Sequence, residues 1–305
     1  MARTLLIGTH KFTWREWLKR EQRQRDLLVL DPSDAANGAL ARVGIARGGK
    51  LADYRFVGSL DATRNPLAVV QAAVELSPLL GPDAIIISPN YRGQPVARQL
   101  LQTLAQLLRP DEILVPDGAN IPMEGWPVGP IVEDVEQAFP EMVQAAQRRA
   151  RWLEMIEHSS DHVLPFDRIT ISGTRLGSGE PLSPQQLSAA GIEGLLWAEK
   201  TGTNLLLVSK RDMGDRQIGM ALNLAHASKA VVVDPMDYSG RVCSFARQDG
   251  EDFGMGMIEE INFVHGEVRA LVMSVPPAPV RILKIGTLMI DSTGRELGDD
   301  RPWAI

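Results

Sequence analysis

Cysteine is almost missing from this sequence: Cys243 is the single thiol in 305 residues. One thiol forms no internal disulfide, so a small secreted scaffold held by disulfides is excluded. Aromatic residues are scarce, at 5%. Trp14, Trp17, Trp126 and Trp152 read as packing residues rather than as a platform for stacked bases. Long apolar runs are lacking too. No stretch approaches the roughly 20 apolar residues of a membrane span. The opening Met-Ala-Arg-Thr-Leu-Leu-Ile-Gly is too short an apolar run for a signal peptide. The expectation is a cytoplasmic protein with no membrane contact. There is no excess of positive charge: 32 Lys+Arg against 38 Asp+Glu leaves a net charge of −6. That excludes a general polyanion binder, though not a local basic groove. What remains is ordinary globular composition, 44% apolar and 23% charged, in a length that suits two domains.

The first half alternates short apolar runs with amphipathic stretches. Strands are predicted at Leu5–Ile7, Leu27–Leu30, Ala84–Ile87 and Glu112–Val115. Helices are predicted at Phe12–Arg25, at Pro66–Leu76, along Val96 to Leu108, and from Val132 to about His158. Pro140 either kinks the last of these or marks where its regular part begins. Such alternation predicts a mostly parallel sheet with helices on both faces, whose ligands sit at the carboxyl ends of the strands. The segments to inspect are therefore Gly8–Thr13, Asp31–Gly38, Ser88–Gly93 and Pro116–Ile121. After about residue 165 short β-like runs dominate, with helices only at Pro184–Ala190 and Asp215–Ala227. The predicted division is 1–165, an α/β domain, and 166–305, an α+β domain of mainly β character.

In the second half Gly173-Thr174-Arg175-Leu176-Gly177-Ser178-Gly179-Glu180-Pro181-Leu182-Ser183 is followed by Gly240-Arg241-Val242-Cys243. Then come Phe253-Gly254-Met255-Gly256-Met257 and Val280-Arg281-Ile282-Leu283-Lys284-Ile285-Gly286-Thr287-Leu288. This order resembles the polynucleotide 5′-hydroxyl kinase family, which includes the kinase subunit of the cleavage/polyadenylation factor, rRNA-processing kinases and archaeal relatives. The resemblance implies a P-loop-NTPase-like first domain. The family's loop, Gly-x-x-x-x-Gly-Lys-[Ser/Thr], surrounds phosphates with backbone N–H groups and offers a hydroxyl to Mg²⁺. The matching segment here is Gly8-Thr9-His10-Lys11-Phe12-Thr13. It has two residues between Gly8 and Lys11 where the motif has five, no second glycine, and Phe12 where the hydroxyl belongs. Gly8, Lys11 and Thr13 are the residues it leaves for a nucleotide.

Asp31 and Asp34 fall on the family's acidic motif, without its glutamine. Ser88 stands in place of a carboxylate on the metal side. Arg148, Arg149 and Arg151 match an arginine cluster that contacts phosphates. Two readings stay open. In one the protein is a catalytically impaired relative, a binding or assembly subunit linked to RNA processing and needing no cofactor. In the other it is an RNA 5′-hydroxyl kinase or NTPase that uses ATP or GTP with Mg²⁺. There Lys11 neutralises the γ-phosphate, Asp31 or Asp34 orients the accepting hydroxyl, and Arg149 or Arg151 stabilises the transferring charge. Both leave room for RNA and expect a protein partner or a second copy. No resident metal site is expected: His158 and His162 lie four apart with no third ligand. The Gly173–Gly179 loop could cradle an anion, although glycines there also serve plain turns.

Overall fold

Strands of three residues suffice when both of their faces are buried, and three adjacent strands at the centre of the first unit's sheet are of this kind. The computed structural model describes residues 2–21, 25–47, 50–119, 121, 128–132, 135–189, 191–192, 194–273 and 279–300. It divides into two units, Met1–Trp152 and Leu153–Ile305. The first unit runs β1 (Thr4–Leu6), β2 (Phe12–Thr13), α1 (Arg15–Glu21), β3 (Leu27–Val29), β4 (Arg42–Arg47), β5 (Lys50–Phe56), α2 (Pro66–Leu76), β6 (Ile85–Ile87), α3 (Pro95–Leu108), β7 (Glu112–Pro116), β8 (Val128–Val132), β9 (Glu136–Gln137) and most of α4 (Glu141–Glu157).

Seven of these strands form one sheet in the order β5-β4-β3-β6-β1-β7-β8. The five from β3 to β8 are parallel, and β4 and β5 add an antiparallel edge. Alternation along the strands supplies both faces. Leu5, Leu28, Ile86 and Ile113 pack on one side with Val69, Ala73 and Leu76 of α2 and Leu101, Leu104 and Leu108 of α3. Leu6, Val29, Ile85 and Leu114 pack on the other with Trp14 and with Leu18 of α1. The 3–4 spacing of α3 is as the sequence implies, and a proline stands in the first turn of both α2 and α3.

Two local expectations are corrected, and one hairpin is new. The apolar spacing from Val132 onward predicts one long helix, but β8 ends at Val132, β9 intervenes and α4 begins at Glu141. Residues 136 and 137 are drawn into pairing with β2. Pro140 marks the start of the helix: its carbonyl accepts from the Gln144 N–H at 3.1 Å, a bond that needs no N–H from proline. Phe12 and Thr13, assigned to a helix, are that same β2, and residues 22–24 of the predicted helix lie outside the described residues. The β4–β5 hairpin is absent from the sequence reading. Its signal was present as alternation on either side of Gly48-Gly49, a pair that itself lies outside the described residues. Of the loop after β7, residue 120 and residues 122–127, Trp126 among them, also lie outside the described residues.

The second unit is mainly β. It contains β10 (Ser160–Pro165), β11 (Thr170–Ser172), β12 (Glu180–Pro181), α5 (Pro184–Ala189), β13 (Leu195–Thr201), β14 (Asn204–Ser209), α6 (Asp215–Ala225), β15 (Lys229–Val233), β16 (Arg241–Ala246), β17 (Asp252–Asn262), β18 (Glu267–Val272), β19 (Ile282–Ile290) and β20 (Glu296–Asp299). One sheet has the order β10-β18-β17-β16-β19-β11, with β20 also on β19. A second has the order β12-β13-β14-β15. Val280–Leu283 and Thr287–Ile290, read as separate strands, are largely one strand, β19.

Candidate functional site

The carboxyl ends of β1, β3 and β6 lie side by side, because those strands are neighbours in the parallel sheet. The loops leaving them, with α1 and the start of α4, line an open cleft of about 270 Å³. Gly8, Thr13, Asp31 and Asp34, chosen from the sequence, all line it. So do Arg15, Lys19, Asn90 and Arg148.

The segment after β1 is tied down by its own neighbours. The Gly8 N–H donates to Ser88 Oγ at 2.9 Å, and the Ser88 hydroxyl donates to the Pro89 carbonyl at 3.0 Å. The Phe12 N–H donates to Thr9 Oγ1 at 3.1 Å. The Lys11 carbonyl accepts from the Ala138 N–H at 2.8 Å, continuing the pairing of β2 with β9. The Trp14 indole N–H donates to the Ile7 carbonyl at 2.8 Å. A Cβ at residue 8 would stand 2.7 Å from the Ser88 carbonyl oxygen, so the close crossing of these two loops requires glycine. Two of the amides that a phosphate-binding loop would present are thus committed to side-chain hydroxyls. Ser88, noted in the sequence for the carboxylate it replaces, is the residue that makes one of those bonds.

The acidic wall is equally well tied. Asp31 Oδ1 accepts from the Ser33 N–H at 3.0 Å and the Ser33 hydroxyl at 2.7 Å, and Oδ2 accepts from the Asn90 side-chain amide at 2.5 Å. Asp34 accepts from the Asn37 N–H at 3.1 Å and the Asn37 side-chain amide at 2.8 Å. Burial pushes the Asp31 carboxyl up to about 6, and its hydrogen bonds from Ser33 only partly offset this. Burial also raises Asp34, against the pull of its hydrogen bonds from Asn37. The folded Asp31 holds its proton to about pH 6, whereas the unfolded one releases it near 3.8. The folded state therefore gains stability as pH falls through that window and loses it as pH rises through about 6. The Asp31 contribution is at most about 3 kcal/mol. Thermal melts of the wild type and Asp31→Asn between pH 4 and 7 check this. The variant should lack much of the wild type's loss of stability with rising pH. Identical pH profiles would contradict the assignment.

The cationic side differs from the sequence expectation. Arg148, only 8% exposed, reaches Glu141 Oε1 at 3.0 Å and lines the cleft. Arg15 lies over the Phe139 ring at 5.0 Å. Lys19 pairs with Glu16. Arg149 is exposed and Arg151 half-buried, and neither lines the cleft. Lys11 is exposed and is not among the residues that line the cleft. Arg15 and Lys19 were legible only as a four-residue repeat on one helix. Nothing local marked them as lining the cleft or Arg15 as acting on Asp34.

These residues do not fit Mg²⁺ with a nucleoside triphosphate. The Gly8 and Phe12 amides are already hydrogen-bonded, the position after Lys11 is a phenylalanine, and the Ser88 hydroxyl is engaged by two backbone groups. Among the described residues no group of three or more His, Cys, Asp or Glu is arranged to hold a metal ion. In the second unit, the Gly177 and Gly179 N–H groups of the Gly173–Gly179 loop both donate to the Glu199 carboxylate, so the anion in that loop is internal.

No family model matches the sequence, and no curated protein matches it. Solved structures do match. One describes the extended interface between Pcf11p and Clp1p and the basis for ATP loss in a glycine-to-arginine point mutant. Its matched chain has a TM-score of 0.56 and 11% identity, over 94% of this chain and 74% of that one. A wild-type Clp1p–Pcf11p complex gives a TM-score of 0.52 and 12% identity, with the same coverage of both chains. At that identity the likeness is one of fold. No helix among the described residues is long and apolar enough to cross a membrane.

Proposed function

We propose that this protein is a catalytically impaired relative of the polynucleotide 5′-hydroxyl kinases. It acts as a binding or assembly subunit linked to RNA processing, with a kinase-like domain in the first unit and an α+β domain in the second. The observation that carries this reading is the capping of the Gly8 and Phe12 amides by Ser88 and Thr9. Phosphoryl transfer draws its rate from positioning and neutralising the phosphates, and hydrogen-bonded amides and a lysine outside the cleft lining supply neither. The family resemblance in the sequence and the fold likeness to chains from Clp1p–Pcf11p complexes point the same way, and those complexes favour a protein partner.

A second reading, a kinase or NTPase with a remodelled loop, draws on the cleft, which keeps Asp31, Asp34 and Arg148 together. In that reading the aspartates orient an accepting hydroxyl and Arg148, rather than Arg149 or Arg151, is the nearer cation. The two are separated by transfer of labelled γ-phosphate from ATP or GTP to 5′-hydroxyl RNA and DNA oligonucleotides. No transfer above background is expected. Turnover that either Lys11→Ala or Asp31→Asn abolishes would establish the second reading instead.

A further inference from the structure

Each sheet leaves edges whose backbone groups can pair with another strand, and most of the edges here are guarded. β5 carries Lys50, Asp53 and Arg55. β8 contains Gly129 and Pro130. β10 carries Asp161 and His162 and ends at Pro165. β11 has three residues, and β12 has two, one of them Pro181. The exception is β15, which reads Lys229-Ala230-Val231-Val232-Val233, with a charge only at its first position. It ends the four-stranded sheet, and no described strand takes its outer side.

The direction of its backbone follows from the register. β15 runs parallel to β14, from Asn204 opposite Lys229 to Val208 opposite Val233, and the Lys229 N–H donates to the Thr203 carbonyl at 3.2 Å. Alternate residues of a strand turn to opposite neighbours. Lys229, Val231 and Val233 therefore address β14, while Ala230 and Val232 direct their N–H and C=O groups outward. Val232 is 38% exposed, and the following Met236 is 68% exposed.

We propose that the outer edge of β15 pairs antiparallel with the same edge of a second copy of this chain, forming a two-fold dimer. A two-fold through Val231 sets Ala230 against Val232 and Val231 against its own copy, which suits cross-strand packing. It also lays the basic end of one strand, His226 and Lys229, beside the acidic end of the other, Asp234 and Asp237. Parallel pairing would instead put like charges together. The next outward group, the Asp234 N–H, is already held by Asp237 Oδ2 at 3.2 Å, so the paired edge is short, and an isologous contact of this kind closes with two chains. This inference stands apart from the kinase-family reading, since it uses none of the cleft residues.

The test is sedimentation of the full chain from low micromolar to submillimolar concentration. A reversible shift from monomer toward dimer mass is expected. Val232→Pro removes an outward N–H and none that bonds β14, and Lys229→Glu sets acid against acid. Each should weaken association about tenfold or more, a change of roughly 1.4 kcal/mol. Val232→Thr keeps the N–H and should associate like the wild type. Hydrogen exchange at Ala230 and Val232 should slow as wild-type concentration rises. If Val232→Pro melts early, the exposed Lys229→Glu and the exchange rates carry the test. A chain that stays monomeric throughout, or a dimer indifferent to Lys229→Glu with unchanged exchange at these amides, overturns the proposal.

Discussion

ATP and GTP, with Mg²⁺ at saturation, are expected to bind more weakly than about 1 mM in calorimetry and to shift the melting temperature little. A working phosphate-binding loop gathers several backbone N–H bonds, a lysine charge and a metal-bound hydroxyl on one triphosphate. Hydrogen bonds to charged groups contribute roughly 1.5–3 kcal/mol each. Here the Gly8 N–H is held by Ser88 at 2.9 Å and the Phe12 N–H by Thr9 at 3.1 Å. Lys11 does not line the cleft, and the residue after it has no side-chain oxygen. Two or three missing interactions remove about 3–9 kcal/mol, whereas a micromolar site has only about −8 kcal/mol in total. Freeing the amides requires breaking the hydrogen bonds that now satisfy them, which widens the gap. A micromolar constant that Lys11→Ala weakens would refute this account of the loop.

Glu199→Ala should cost the second unit about 3–5 kcal/mol, near the upper end for one substitution. Glu199 is 2% exposed, and its carboxylate accepts three donors. The Gly177 and Gly179 N–H groups bond its two oxygens, and the Trp197 indole N–H reaches Oε2 at 3.2 Å. Gly177 holds φ at +79°, and a Cβ there would stand 2.5 Å from the Ile171 carbonyl, so only glycine presents its amide to the carboxylate in this way. Removing the carboxylate leaves the half-buried Gly179 amide and Trp197 indole, and the exposed Gly177 amide, without their protein acceptor. A fall of about 10 °C in the melting temperature is the corresponding signal. Glu199→Gln keeps the shape and one good acceptor and should lose less than half as much. A Glu199→Ala protein that melts within a degree or two of the wild type would show that the loop is held by other contacts.

The sequence by itself determined the elements whose burial is decided locally. Val96 to Leu108 forms a helix because its apolar residues recur at 3–4 spacing, and Leu27–Val29 and Ile85–Ile87 form strands because unbroken apolar runs tolerate two covered faces. It also placed the loops that line the cleft, since strand ends in a parallel sheet are readable from the alternation alone. Tertiary structure decided what those loops do. The bond from Gly8 to Ser88 spans 80 positions, and the bond from Asn90 to Asp31 spans 59. Neither exists until the sheet order sets β1, β3 and β6 side by side. The same holds for β9, whose two residues continue a helical pattern and yet pair with β2, and for Glu199, which fills a glycine loop about 20 residues away. Periodicity reports which side of a segment leaves water. Whether an amide is left open for a ligand depends on which distant hydroxyl or carboxylate the fold carries to it, and no local spacing encodes that.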